Sequence, residues 1–142
     1  MDLSEFLKDW CESFSKRLPR LDIRFDVQGP IPVKSDPAIL STILENLLLN
    51  SFEAGGDATR VRISAYRHSN GEKAILEIRD NGPGIPEALL PERLFDPFTT
   101  TKASGSGVGL WQVKRLVTAL GGRIHAKNNE EGGAGFVLEL PT

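Results

Sequence analysis

The chain has 142 residues, enough for one domain with a substantial buried core. Apolar residues make up 39% and charged residues 25%, which is typical of a folded globular domain and excludes the composition of a disordered chain. The formal net charge of -2 at pH 7 gives no broad positive field, so we expect neither nucleic-acid binding nor direct membrane contact from this domain.

The first predicted elements are a helix and a strand. Asp2 and Glu5 have the spacing of a helix-capping box, and apolar side chains then recur at helical intervals as far as Pro19. Residues 21–27 alternate apolar and charged side chains, which is the period of a half-buried strand.

Cys11 is the only cysteine in the sequence, which excludes an internal disulfide. The sequence shows no signal-peptide pattern, so the cytoplasm is the default location.

The longest predicted helix begins at Asp36 and Pro37, which form a good N-cap and first turn, and it ends at Gly55. It is apolar over most of its circumference, but four polar side chains form one stripe: Thr42, Asn46, Asn50 and Glu53. An unpaired buried amide costs about 1 to 3 kcal/mol, so the two asparagines imply polar partners. Two interpretations stay open, a ligand wall holding a hard cation such as Mg²⁺ or a stripe facing solvent or a neighbouring loop.

A hairpin follows the long helix. Residues 59–68 and 73–80 alternate strongly, and the Asn-Gly pair at 70–71 supplies the positive φ angles of a tight turn. Residues 81–106 are rich in Gly, Pro and Thr and leave room for only a short helix near 87–90. Loops of this length are usually functional or mobile.

The last elements are a helix and a closing hairpin. The helical pattern resumes over 108–120 and ends at Gly121, and residues 123–128 and 135–141 form a second pair of strands. The order α-β-α-β-β-loop-α-β-β predicts an α+β fold, a two-layer α/β sandwich with a mixed, mostly antiparallel sheet of about five strands and helices packed on one face.

The segment DNGPGIP at 80–86 follows the strand of the first hairpin directly. Asn-Gly and Pro-Gly pairs form turns, so a turn alone explains most of it. A turn does not require Asp80, whose fixed carboxylate could accept a hydrogen bond from the exocyclic amine of adenine. Guanine presents an oxygen at that position and would be repelled.

A second loop motif, LFDPFTTTKASGSGVGL at 94–110, combines Thr, Gly and Lys102 before the helix that starts near Val108. Backbone N–H groups at a helix N-terminus with a glycine-rich entry suit polyphosphate. The spacing fits neither a Walker loop nor a dinucleotide fingerprint. By itself, a glycine-rich loop is weak evidence for a phosphate-binding site.

Four motifs in this order resemble the N, G1, F and G2 boxes of histidine kinase catalytic domains: NLLLN at 46–50, DNGPGIP at 80–86, LFDPFTTTK at 94–102 and GSGVGL at 105–110. These domains belong to the ATPase superfamily shared with gyrase, Hsp90 and MutL, whose architecture is the Bergerat fold. The resemblance runs from about Leu21 to Leu140. It implies that residues 1–142 form one ATP-binding catalytic domain with a flexible lid over about 96–107.

The resemblance also implies residue roles. Asn50 would coordinate the Mg²⁺ that bridges the ATP phosphates, Asn46 would contact the same region, and Glu53 is a third catalytic candidate. Asp80 would recognise adenine. The other expected ATP-binding positions are Gly82, Gly84 and Ile85 around the adenine, and Phe98, Thr100, Thr101, Lys102, Gly105, Ser106, Gly107, Val108, Gly109 and Leu110 in the lid and the helix that follows it.

Some positions depart from the family pattern. Glu53 stands where many relatives have Lys or Arg, so a phosphate contact from that position is in doubt, and it could serve the metal or a water instead. Ser51 replaces a common alanine, Val108 a common leucine, and Trp111 a small residue.

The two histidines, His68 and His125, lack the acidic neighbour and downstream proline of the family's phosphoacceptor motif. The resemblance therefore implies a monomeric ATP-binding domain that does not label itself. It would transfer the γ-phosphoryl group to a histidine on a separate dimerisation domain and serve a response regulator indirectly. Two alternatives stay open: an anti-sigma-factor serine kinase of the same fold, and a degenerate domain kept as an interaction module.

Overall fold

The helices and strands follow the predicted order in the computed structural model, which describes residues 1–97 and 109–142. The elements are α1 Leu3–Arg17, β1 Asp22–Val27, α2 Pro37–Gly55, β2 Arg60–Arg67, β3 Lys73–Asp80, α3 Gly109–Ala119, β4 Arg123–Asn128 and β5 Ala134–Pro141. Short 3-10 turns lie at Gly56–Ala58, Glu87–Leu89 and Arg93–Phe95. The second of these is the short helix predicted near 87–90, and the third was not predicted.

One five-stranded sheet has the strand order β1-β2-β3-β5-β4. β1 pairs with β2 in parallel, and α2 provides the crossover that a parallel pair needs. The other three pairs are antiparallel. The predicted mixed, mostly antiparallel sheet is therefore confirmed, and Asp80 lies at the end of its central strand.

The core lies on one face of the sheet. On β2 buried side chains alternate with more exposed ones, so that Ile63 is in the core while Arg62 is exposed. On β3 the predicted alternation holds only near the end of the strand, where Ile78 is buried and Arg79 is exposed, since residues 74–76 are all buried. Burial also raises the pKa of the Cys11 thiol on α1 to about 11, which keeps that thiol protonated and unreactive. Among the described residues, no helix is both long and apolar enough to cross a membrane.

The ends of α2 are fixed as the sequence predicts. The Asp36 side chain accepts hydrogen bonds from the backbone N–H groups of Ala38 and Ile39, at 2.8 and 3.3 Å. The residue after the helix is Gly56 with φ 72°, a conformation that disfavours other residues. The helix buries one wide face, formed by Leu40, Ile43, Leu44, Leu47, Leu48 and Ser51. This burial leaves the stripe with Asn46 and Asn50 at the edge of the core.

Candidate functional site

The carboxylate of Asp80 is held by three donors from different parts of the chain. Its Oδ1 accepts hydrogen bonds from the backbone N–H groups of Gly82 and Ala134, each at 2.9 Å. Its Oδ2 accepts one from the hydroxyl of Ser51 on α2, at 2.8 Å. Asp80 is 9% exposed, so this carboxylate is a buried, oriented acceptor. Ser51 is the one donor to Oδ2 within residues 1–97 and 109–142, and a carboxylate oxygen can accept a second hydrogen bond.

The loop after β3 is clamped by an asparagine at the end of β4. The side chain of Asn128 accepts from the backbone N–H of Ile85 at 2.7 Å and donates to the carbonyl oxygen of the same residue at 2.8 Å. Next to it, Asn129 donates to the carbonyl oxygen of Asp80 at 3.3 Å. Gly84 has φ 85°, which favours glycine at that position. Of the three predicted adenine-pocket residues in this loop, Gly82 and Ile85 therefore have their backbone held by side-chain hydrogen bonds.

Replacing Asn128 with alanine is expected to lower the free energy of unfolding by about 1 to 2 kcal/mol, because both hydrogen bonds to Ile85 are lost. Urea denaturation measures the change. The matched control is Asn70→Ala in the β2–β3 turn, where the side-chain oxygen accepts one hydrogen bond from Glu72 at 3.0 Å. Equal losses in the two variants would contradict a special role for the Asn128 clamp.

The polar stripe of α2 faces the beginning of α3. Asn46 donates its side-chain N–H to the carbonyl oxygen of Thr42 at 2.9 Å, within its own helix. Its Oδ1 lies 3.7 Å from the position that a Cβ would take at Gly109. Asn50 is half-buried and Glu53 is exposed one turn further along the helix. The three predicted catalytic side chains thus lie on one helix, with Asn46 next to the first turn of α3.

The chemistry of these side chains fits a magnesium ion shared with a phosphate ligand. Amide oxygens are hard ligands, and Mg²⁺ in phosphate-binding sites usually keeps several waters and takes few protein ligands. The described part of the chain has no group of three or more His, Cys, Asp or Glu residues that could hold a metal by themselves. A metal at Asn46 and Asn50 would therefore depend on oxygens from the nucleotide.

Gly109 and Leu110 form the first turn of α3, as predicted. The other predicted lid positions lie outside the described residues: Phe98, Thr100, Thr101, Lys102, Gly105, Ser106, Gly107 and Val108. Just before this segment, Phe95 is fully buried and packs edge-on against Phe136, with ring centroids 6.2 Å apart. The chain is thus anchored in the core immediately before the predicted lid.

A cavity of about 350 Å³ lies elsewhere, between the 3-10 turn that contains Phe95 and one side of α3. The guanidinium carbon of Arg115 lies 4.9 Å from the ring centroid of Trp111 in its lining. None of the described residues predicted to contact adenine or a metal lines this cavity. It is separate from the site around Asp80.

Comparison with known families identifies the chain. The model of the histidine kinase-, DNA gyrase B- and HSP90-like ATPases matches residues 35–142, which include every predicted site residue. The chain belongs to this ATPase family. The resemblance inferred from the four motifs is therefore confirmed at the level of the family.

Individual members of this ATPase family resemble the chain closely. The histidine-protein kinase AfsQ2 of Streptomyces coelicolor is 39% identical over 84% of the chain, which corresponds to 22% of AfsQ2. The catalytic domain of the histidine kinase ThkA, in a nucleotide-free form, superposes with a TM-score of 0.85 at 29% identity over 99% of this chain and 93% of that one. ThkA is also known in complex with the response regulator protein TrrA.

Full-length ShkA in complex with AMPPNP gives a TM-score of 0.82 at 28% identity, over the whole of this chain and 31% of ShkA. The chain spans about a fifth to a quarter of the length of the curated relatives that it matches. The ATPase family domain is thus one part of those longer proteins.

Several residues that shape the candidate site were not predicted to take part in it. Ser51 was noted only as a departure from the family pattern, and Asn128, Asn129 and Ala134 were assigned to a hairpin. An Asn-Asn pair beside glycines is typical of a turn, so the local sequence carried no signal of their contacts with Asp80 and Ile85. Those contacts depend on which strands pair in the sheet.

Proposed function

We propose that this chain is the catalytic domain of a sensor histidine kinase, which binds Mg-ATP and donates the γ-phosphoryl group to a histidine on a separate dimerisation domain. The buried, oriented carboxylate of Asp80 carries the proposal, because its open Oδ2 position suits the exocyclic amine of adenine. The family match supports ATP as the nucleotide.

The phosphate end of the nucleotide would lie between α2 and α3. The first turn of α3 begins at Gly109, and backbone N–H groups at a helix N-terminus favour a phosphate group. Asn50 would provide the protein ligand to Mg²⁺, and Asn46 a second contact from the turn before it. A bound Mg²⁺ would neutralise charge on the phosphate oxygens during transfer. Lys102, in the predicted lid, would add a positive charge near them.

The partners follow from the proposed reaction. The chain would act on the phosphoacceptor-histidine dimerisation domain, and through it on a response regulator, as the complex of ThkA with TrrA supports for a relative. A cytoplasmic location belongs to the same proposal, because ATP and response regulators are found there. The isolated domain would be monomeric.

The test is calorimetric titration of the purified chain with ATP, ADP and GTP, with and without Mg²⁺. The proposal expects binding of the adenine nucleotides only, and tighter ATP binding with Mg²⁺. Incubation with γ-labelled ATP should leave the chain itself unlabelled and should label the dimerisation domain with an acid-labile phosphate. A folded chain that binds no adenine nucleotide would overturn the proposal and favour a degenerate interaction module. Acid-stable label on a protein serine would favour the serine kinase alternative.

A further inference from the structure

The hydroxyl of Ser51 makes a contact that the proposed reaction does not by itself require. Ser51 is 1% exposed, Asp80 is 9% exposed, and the Ser51 hydroxyl donates to Asp80 Oδ2 at 2.8 Å. A serine hydroxyl has one hydrogen to donate. In this structure that hydrogen is used on the same carboxylate oxygen that the proposed function assigns to the adenine.

The hydrogen bonds of the Asp80 carboxylate divide unequally between its two oxygens. A carboxylate accepts about four hydrogen bonds, two on each oxygen. Oδ1 already has two backbone donors, from Gly82 and Ala134. Among the described residues Oδ2 has one donor, Ser51, so it can accept one more hydrogen bond. A ligand that fills this position must be a donor.

Ser51 also limits how the carboxylate can turn. The two backbone donors fix Oδ1 but both act on one atom, whereas Ser51 fixes the second oxygen from the other side, on α2. Ser51 directly follows Asn50, the proposed metal ligand, in the same helix. One turn of α2 would therefore set both the direction of the base acceptor and the position of the metal.

We propose that Ser51 is a positioning residue for base recognition: its hydroxyl holds Asp80 Oδ2 so that this oxygen accepts a single hydrogen bond from the 6-amino group of adenine. The proposal rests on the proposed function, since it assumes that ATP binds at Asp80. It predicts that the loss of the hydroxyl weakens recognition of the amino group and leaves contacts to the rest of the nucleotide unchanged.

The test compares ATP with purine riboside triphosphate, which lacks the 6-amino group, in calorimetric titrations of the wild-type chain and Ser51→Ala. The wild type is expected to prefer ATP, and Ser51→Ala should reduce that preference about tenfold, since a hydrogen bond to a charged group is involved. Affinity for purine riboside triphosphate should stay the same. Ser51→Cys keeps a side chain of similar size with a weak donor, so its preference should be intermediate.

Thr59→Val is the matched control, because Thr59 is also buried, at 2% exposure, and its hydroxyl donates to the carbonyl oxygen of Gly56 at 2.7 Å. This variant should lose stability without any change in the preference for ATP. A full preference for ATP in folded Ser51→Ala would overturn the positioning role, as would an equal loss of affinity for both nucleotides. A wild-type chain that binds neither nucleotide would instead overturn the proposed function.

Discussion

Replacing Asp80 with asparagine is expected to lower the affinity for ATP by about a hundredfold, the effect of losing a hydrogen bond to a charged group and leaving donors opposed. The two backbone N–H groups of Gly82 and Ala134 both point at Oδ1 and would select the amide oxygen there. The amide NH₂ would then take the place of Oδ2, where it faces the Ser51 hydroxyl and the adenine amine. The Ser51 hydroxyl can turn to accept from this NH₂ group, but the adenine amine cannot, so these two amino groups would oppose each other with no acceptor between them.

Asp80→Asn is also expected to weaken the preference for adenine over guanine. An NH₂ group in place of Oδ2 can donate to the oxygen that guanine carries at position 6, so the ratio of ATP to GTP affinity should fall in Asp80→Asn. Calorimetry with both nucleotides measures this ratio. Asp57→Asn is the control, because it makes the same chemical change at an exposed side chain that forms a salt bridge with Arg20 at 3.6 Å. Unchanged ATP binding in Asp80→Asn would show that the base binds elsewhere.

The elements that could be predicted from the sequence are those whose signal is local. The alternation along β2, the Asp36 cap of α2 and the glycines after it depend only on neighbouring residues, and the structure confirms each of them. The 3-10 turn Arg93–Phe95 was not predicted. It brings Phe95 into the core against Phe136, a contact between residues far apart in the chain.

In the candidate site, too, the features with a local sequence signal were predicted and the long-range contacts were not. Asp80 was predicted from its place at the end of a strand, but the groups that orient it come from 29 and 54 residues away, at Ser51 and Ala134. Such contacts follow from β5 pairing next to β3, which sequence periodicity does not specify. The sequence could therefore single out the group that we propose for base recognition, but it could not predict what holds that group in place.

Replacing Asn50 with alanine is expected to remove most of the Mg²⁺ dependence of ATP binding. In the wild type, the ratio of ATP affinities with and without Mg²⁺ should be well above one. In Asn50→Ala that ratio should fall by about tenfold or more, because even residues that only support metal ligands contribute that much to metal affinity. Calorimetry in Mg²⁺ and in a chelator gives both affinities. The control is Thr42→Ala, on the same stripe, where the lost hydroxyl donates within the helix to Ala38 at 3.1 Å.

Asn50→Asp distinguishes two roles of the Asn50 side chain, a metal ligand through its oxygen and a hydrogen-bond donor through its NH₂ group. Aspartate keeps an oxygen ligand and loses the NH₂ group, and it adds a negative charge beside the phosphates. With Mg²⁺ present the carboxylate binds the cation, so ATP should still bind. With the metal removed, the charge repels the phosphates and affinity should fall below that of the wild type. The Mg²⁺ dependence would thus rise in Asn50→Asp and fall in Asn50→Ala. If it falls in both variants, Asn50 acts through its NH₂ group and the metal is held by other oxygens.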